Sequence, residues 1–123
     1  MQRQSVFIVD DHARVQVQLA NWLNRERRLV VVGMSANEPE TFEHILESRP
    51  DIIVIDVAGH GRGDLRLLRT MREKLPSTAV VVLTAFADTA LEKELRDLGV
   101  HSTLPKELPS AALVKTLTAL PLV

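Results

Sequence analysis

Cysteine is absent from this chain of 123 residues. That excludes disulfide staples and thiolate metal sites, and it makes a reducing cytoplasm the expected setting. No apolar run is long enough to span a bilayer, and the opening MQRQSVFIVDD carries too short an apolar stretch for a signal peptide. An excess of charge of one sign is also missing. Lys and Arg number 15 against 16 Asp and Glu, a formal net charge of -1, so the surface has no general attraction for nucleic acid or acidic membranes and no basic recognition surface. Linkers, repeats and low-complexity stretches are lacking, and the 46% apolar content is enough for the core of one compact domain. Finally, there is no phosphate cradle. GHGRG at 59–63 matches neither GxGxxG nor GxxxxGK and follows the third apolar run, whereas a dinucleotide fingerprint sits after the first.

What is present is an alternation of two kinds of segment. SVFIV (5–9), LVVVGM (29–34), DIIVID (51–56) and AVVVLT (79–84) have strand length and β-branched enrichment without polar alternation, the pattern of strands buried on both faces. Between them lie amphipathic stretches. Val15, Leu19, Trp22 and Leu23 share one helical face, with Trp22 expected to pack in the core, and Phe42, Ile45 and Leu46 share another. Asn37 and Glu40 have capping-box spacing for that second helix. Leu65, Leu68, Met71 and Leu75 mark a third helix stopped by Pro76, and Leu91, Leu95 and Leu98 a fourth, capped by Asp88 and closed by Gly99. A weak strand near 102–104 and a helix over 109–119 complete five β-α units.

Strands separated by helices run parallel through right-handed crossovers, which places helices on both faces of one sheet. Sites in such α/β folds form outside the carboxyl ends of the strands. Asp10 and Asp11 follow the first strand, Asp56 and Thr84 end the third and fourth, and Lys106 follows the fifth. The second strand offers only Gly33, Met34 and Ser35, which puts it to the side of the site. Three carboxylates within roughly 5 Å repel by about 3 kcal/mol per pair at an effective dielectric near 20, so their gathering calls for a cation. Oxygen ligands suit a hard ion such as magnesium. An ammonium and a hydroxyl opposite them suit phosphoryl oxygens, and a carboxylate between them can act as nucleophile and hold an aspartyl phosphate. The four histidines, His12, His44, His60 and His101, share no metal-ligand spacing and are expected at the surface or at a helix start.

FIVDDH, DIIVIDV, VVLTA and LPKE stand in the order and spacing of the acid pair, phosphoacceptor strand, threonine strand and lysine loop of two-component receiver domains. The sequence resembles that family over essentially its whole length, and VDDH with VVVGMSAN is most similar to receivers of the nitrate-responsive subfamily with helix-turn-helix output. The resemblance implies a flavodoxin-like (βα)5 sandwich of three layers, with a five-stranded parallel sheet in the order 2-1-3-4-5. It implies that Asp56 accepts a phosphoryl group from a sensor histidine kinase and that Thr84 and Lys106 hold the phosphoryl oxygens. Magnesium would be bound directly by Asp11, Asp56 and the backbone carbonyl of Ala58, with Asp10 acting mostly through water. Residues 1–123 then form one receiver without an output domain in this chain, catalysing nothing but its own phosphorylation and dephosphorylation. Output would pass to an appended or separate domain, or through a homodimer made by the fourth helix, fifth strand and fifth helix, with no direct contact to nucleic acid or membrane.

Departures from the family pattern concern readout. His60 and the glycines around it stand where a prolyl turn is usual, and Thr103 stands where most members carry Tyr or Phe. Ala58 and Phe86 occupy the positions that steer the hydrolytic water, and neither can orient it, so slow self-dephosphorylation is expected. A degenerate receiver serving only as an interaction module would share the fold, but such domains typically lose the acid pair, the acceptor or the lysine. A flavin binder would need a hydroxyl- and glycine-rich loop where Asp10 and Asp11 stand.

Overall fold

Runs of valine and isoleucine this apolar are stable in the middle of a sandwich, and those at 5–9, 51–56 and 79–84 lie there; the run at 29–34 departs from the expected burial on both faces, because it forms the edge of the sheet and leaves Val32 and Met34 each 41% exposed. The computed structural model describes residues 3–57, 64–85 and 89–120. Five strands, β1 (Gln4–Val9), β2 (Leu29–Ser35), β3 (Ile52–Asp56), β4 (Ala79–Thr84) and β5 (Ser102–Pro105), alternate with five helices, α1 (Ala13–Asn24), α2 (Thr41–Ser48), α3 (Asp64–Lys74), α4 (Thr89–Asp97) and α5 (Ser110–Thr118). All pairings are parallel and the strand order is 2-1-3-4-5. The order reverses at β1, so the crevice beyond the carboxyl ends of β1 and β3 is the switch point of the sheet.

Period-two alternation divides the strands between two cores. Val6, Ile8, Ile52, Val54, Val81 and Leu83 face α1 and α5, meeting Leu19, Ala20, Leu23, Leu113 and Leu117, with Trp22 partly buried against them. Phe7, Val9, Ile53, Ile55, Val80 and Val82 face the opposite layer, where Ile45 of α2, Leu65, Leu68 and Met71 of α3, and Leu95 of α4 cover them. Leu46 departs from the expected buried face: it is 40% exposed, because it sits about 100° round the helix from Ile45, which alone of the two points straight at the sheet.

The helix ends explain how loops reach the site. The capping box predicted at Asn37 and Glu40 does not form. α2 begins at Thr41, and Glu40 takes the N-cap position without a side-chain hydrogen bond. The Asn37 N–H donates instead to Asp11 Oδ1 (2.8 Å), and the Thr41 hydroxyl accepts from the Glu38 N–H at 3.2 Å. The entry to α2 is thereby tied to the acid loop. α4 closes as expected on Gly99 at φ 83, and Arg72 of α3 donates to the carbonyls of Leu98 and Thr78, both at 3.1 Å. The proposed cap Asp88 lies outside the described residues. His101 is more than the surface group expected of it. Its N–H donates to the Val80 carbonyl at 2.8 Å, and its Nδ1 accepts from the Val80 N–H at 3.1 Å, clasping β5 to β4.

Register between β1 and β2 depends on one glycine. The pairing slips by a residue between Val6 and Phe7, setting Phe7 opposite Gly33. A Cβ added at Gly33 would come within 2.5 Å of the Phe7 ring, which is 2% exposed and has no free space to retreat into. Gly33→Val is therefore expected to lower stability by about 1–3 kcal/mol, read as a lower urea midpoint, and Phe7→Leu in the same chain should recover part of the loss. An unchanged midpoint in Gly33→Val would contradict this packing.

Candidate functional site

Asp10 leaves β1 directly at the switch point. Its Oδ1 accepts the His12 N–H at 2.8 Å and lies 3.3 Å from His12 Nδ1, while its carbonyl accepts from Gln16 Nε2 at 2.6 Å. These contacts fix the turn into α1 and leave the carboxylate 1% exposed. Its Oδ2 is buried with no hydrogen-bond partner; the nearest cation, Lys106 Nζ, is 3.6 Å away, an ion pair too long for a hydrogen bond. Asp56 ends β3, and its Oδ2 accepts from Lys106 Nζ at 2.8 Å. The lysine can reach both acids because its N–H donates to the Thr84 carbonyl at 3.0 Å, which fastens the loop after β5 to the end of β4. Thr84 is 3% exposed at that same edge.

Two carboxylates share one ammonium, so the pocket carries surplus negative charge in a place largely shut off from water. Burial pushes the Asp56 carboxyl above the ordinary aspartate value; the Lys106 hydrogen bond opposes this, and the Asp10 charge adds to it. Burial pulls the Lys106 ammonium down, but its hydrogen bond to Asp56 and the charges of Asp56 and Asp10 outweigh it and hold its pKa above the ordinary lysine value. A buried carboxylate oxygen without a donor, beside a second carboxylate, fits a divalent cation.

The structure brings Asp10, Asp56 and Lys106 together, with Thr84 at the adjoining strand end. Asp11 is placed differently from the expectation of a close three-acid cluster. Among the described residues, the ligand atoms that gather within 4.8 Å of one another belong to Asp10, His12 and Asp56. Asp11 is exposed, and one of its oxygens is engaged by the Asn37 N–H at the entry to α2. Ala58, Phe86 and His60 lie outside the described residues. His12 stands at the start of α1 with its side chain 69% exposed, as expected of it, and its Nδ1 lies 3.3 Å from Asp10 Oδ1. Thr103 is half-buried on β5. A separate cleft of about 540 Å³, bordered by Leu46, Arg49, Pro50 and Leu75, contains none of these converging groups.

Comparison with known proteins places the same geometry in a family. The profile of the response regulator receiver domain matches residues 6–118. The transcriptional regulatory protein LnrK of Bacillus subtilis is 31% identical over 110 residues, 89% of this chain and 50% of LnrK. The oxygen regulatory protein NreC of Staphylococcus epidermidis is 28% identical over 110 residues, again 89% of this chain and 50% of the relative. The chain thus spans about half the length of these curated relatives. Among solved structures, the signal receiver domain of the putative response regulator NarL from Mycobacterium tuberculosis superposes with a TM-score of 0.83 over 96% of this chain and 95% of that one, at 22% identity, a likeness of fold.

The raised pKa of Asp56 has a sign that can be measured. A carboxyl whose folded pKa lies above its unfolded value contributes most stability below the unfolded pKa, and loses it as pH rises through the folded one. At neutral pH the burial of the ionised Asp56 therefore counts against the fold, while the raised pKa of its partner Lys106 counts for it. Asp56→Asn removes that charge and leaves Lys106 to Asp10. Without divalent ions, the variant is expected to melt about 2–5 °C above the wild type at pH 7, with the gain fading toward pH 4. A variant less stable than the wild type at pH 7 would contradict this balance.

Proposed function

The chain belongs to the response regulator receiver domains, and on that footing we propose that it is a phosphoacceptor switch in which Asp56 takes a phosphoryl group from a sensor histidine kinase. The observation that carries the reading is the Lys106 ammonium bonded at 2.8 Å to Asp56, beside the hydrogen-bond-free oxygen of Asp10 at the switch point of the sheet.

In the proposed reaction an Asp56 oxygen attacks phosphorus in line with the P–N bond of a phosphohistidine. The O–P bond forms and the P–N bond breaks. The imidazole of the kinase keeps the bonding electron pair and takes up a proton, leaving an acyl phosphate on Asp56. Lys106 then exchanges its carboxylate partner for a phosphoryl oxygen, and the Thr84 hydroxyl donates to a second one. Magnesium held by Asp10, Asp11, Asp56 and the Ala58 carbonyl would supply neutralising charge to the phosphoryl oxygens when bound. Raising the Asp56 pKa has a chemical use here: a desolvated carboxylate is a better nucleophile than a hydrated one, while Lys106 keeps it ionised.

As a signalling unit, the domain alters partners or an output domain and catalyses only its own modification. A cytoplasmic location follows from the kinase reaction proposed; among the described residues no helix is long and apolar enough to cross a membrane. The surface of α4, β5 and α5 is the proposed face for an output domain or a second copy, and nucleic acid is contacted only through such a partner.

With magnesium and a small phosphodonor, the chain should gain one acid-labile, hydroxylamine-sensitive phosphoryl group, lost in Asp56→Asn. Full labelling of that variant would sink the assignment, and no labelling of the wild type would favour a phosphorylation-independent interaction module. Lys106→Ala should still bind the ion but uncouple phosphorylation from any conformational change.

Thr103 bears on the strength of the switch. In the receivers this chain resembles, inward movement of the threonine hydroxyl makes room for an aromatic of β5. Burying such a ring stabilises one state by roughly 1.5 to 3 kcal/mol, enough to shift a two-state population by an order of magnitude. Thr103 cannot supply that. Amide exchange with a phosphoryl analogue should therefore change little through 86–106 in the wild type, and substantially more in Thr103→Tyr. Large changes in the wild type would refute the weak-switch reading.

A further inference from the structure

β5 starts at Ser102, and its ladder with β4 opens on the pair of Val81 with Ser102. Val80, one residue earlier, is 1% exposed, so its N–H needs an acceptor inside the protein. In an unbroken parallel ladder that acceptor would be the carbonyl of residue 99. Gly99 instead stands at φ 83 in the turn that closes α4, and the His101 ring takes the carbonyl's place. Its Nδ1 accepts the Val80 N–H at 3.1 Å, while the main-chain N–H of His101 donates to the Val80 carbonyl at 2.8 Å. A peptide N–H can only donate, so Nδ1 fills this role only while it carries no proton of its own. His101 is exposed, which lets protons reach the ring from solvent without any opening of the fold.

We propose that His101 is a proton-operated latch on β5: neutral, it pins the start of the strand to β4, and protonated at Nδ1 it lets that end go. Protonation sets a donor against a donor and leaves the buried Val80 N–H without an acceptor. The charges around the ring favour the latched form. Among the described residues, α3 brings Arg72 to it, α4 brings Arg96 and Glu92 to the cleft it borders, and β4 brings no ionisable group. Burial, and after it Arg72, lower the His101 pKa from the ordinary histidine value. A histidine whose folded pKa lies below its unfolded one contributes stability that is fully present above the unfolded value, about 6.5, and is lost as pH falls through the folded one. The latch therefore holds at neutral pH and opens in mild acid. At its other end β5 stays fastened by the Lys106 N–H on the Thr84 carbonyl at 3.0 Å, which confines the opening to the corner between α4 and β5. That corner belongs to the surface read above as the face for an output domain or a second copy, so any consequence for signalling rests on that reading. The latch itself does not.

The experiment is an NMR titration of the purified chain from about pH 8 to about pH 4.5. It follows the His101 ring shifts and the protection of the Val80 amide against hydrogen exchange, corrected for the pH dependence of exchange itself. In the wild type, protection at Val80 should fall about tenfold or more as the ring takes its proton, while the amides of β3 keep theirs, which separates local release from global unfolding. His101→Asn puts Oδ1 where Nδ1 was, an acceptor that does not titrate, and its Val80 protection should stay within about threefold over the same range. His101→Leu, with no acceptor, should show the low value already at the alkaline end. Protection that does not move while the ring titrates overturns the proposal. So does a ring still neutral at the acid end, or the same fall in His101→Asn. The wild-type titration decides by itself should either variant fail to fold. Labelling of Asp56 with magnesium and a small phosphodonor is measured alongside at neutral pH: a working latch without labelling supports the latch and overturns the phosphoacceptor reading instead.

Discussion

One ammonium group holds two desolvated carboxylates together, and the arrangement of the domain follows from the need to do so. Lys106 reaches Asp56 at 2.8 Å and Asp10 at 3.6 Å. Those residues arrive from the ends of β1 and β3 and from the loop after β5, so three strands must stop at a common level. Their level is set by the parallel registers of β1 with β3, β3 with β4, and β4 with β5, and by the bond of the Lys106 N–H to the Thr84 carbonyl. The two apolar cores above and below the sheet supply the rigidity that keeps surplus negative charge from dispersing into solvent. A strained electrostatic balance of this kind is poised to accept a cation or to hand the ammonium to a new anion.

Much of this was legible before the structure, for a definite reason. Apolar runs flanked by acids, threonine or a lysine loop locate strand C-terminal ends, and the rule that α/β sites gather there turns four scattered residues into one pocket. The edge position of β2 was readable from the absence of chemistry at its end. What escaped notice depends on hydrogen bonds that carry no sequence period. One Asp11 oxygen accepts the Asn37 N–H, which also displaces the capping box that residue spacing suggested. His101 proves structural through a bond to the Val80 N–H, and His12 joins the acids through a turn only the fold defines. Leu46 was misplaced because it lies about 100° round α2 from Ile45, which faces the sheet and is fully buried.

Family membership and local chemistry support different parts of the account. The receiver profile and the relatives LnrK and NreC bear on the class of molecule. The pocket bears on what this chain does with its own residues. It brings Asp10, Asp56 and Lys106 together with Thr84 at the adjoining strand end, and it carries Thr103 where the family it resembles usually has an aromatic.

The central claim is that Lys106 neutralises Asp56 until a phosphoryl group takes over its ammonium. A crystal structure of the protein with magnesium and beryllofluoride, a mimic of the phosphoryl group, tests it directly. The account predicts a tetrahedral fluoride adduct on an Asp56 carboxylate oxygen, with Lys106 Nζ hydrogen-bonded to a fluorine. An adduct on another residue, or Lys106 still bonded to the Asp56 carboxylate beneath a bound adduct, would contradict it.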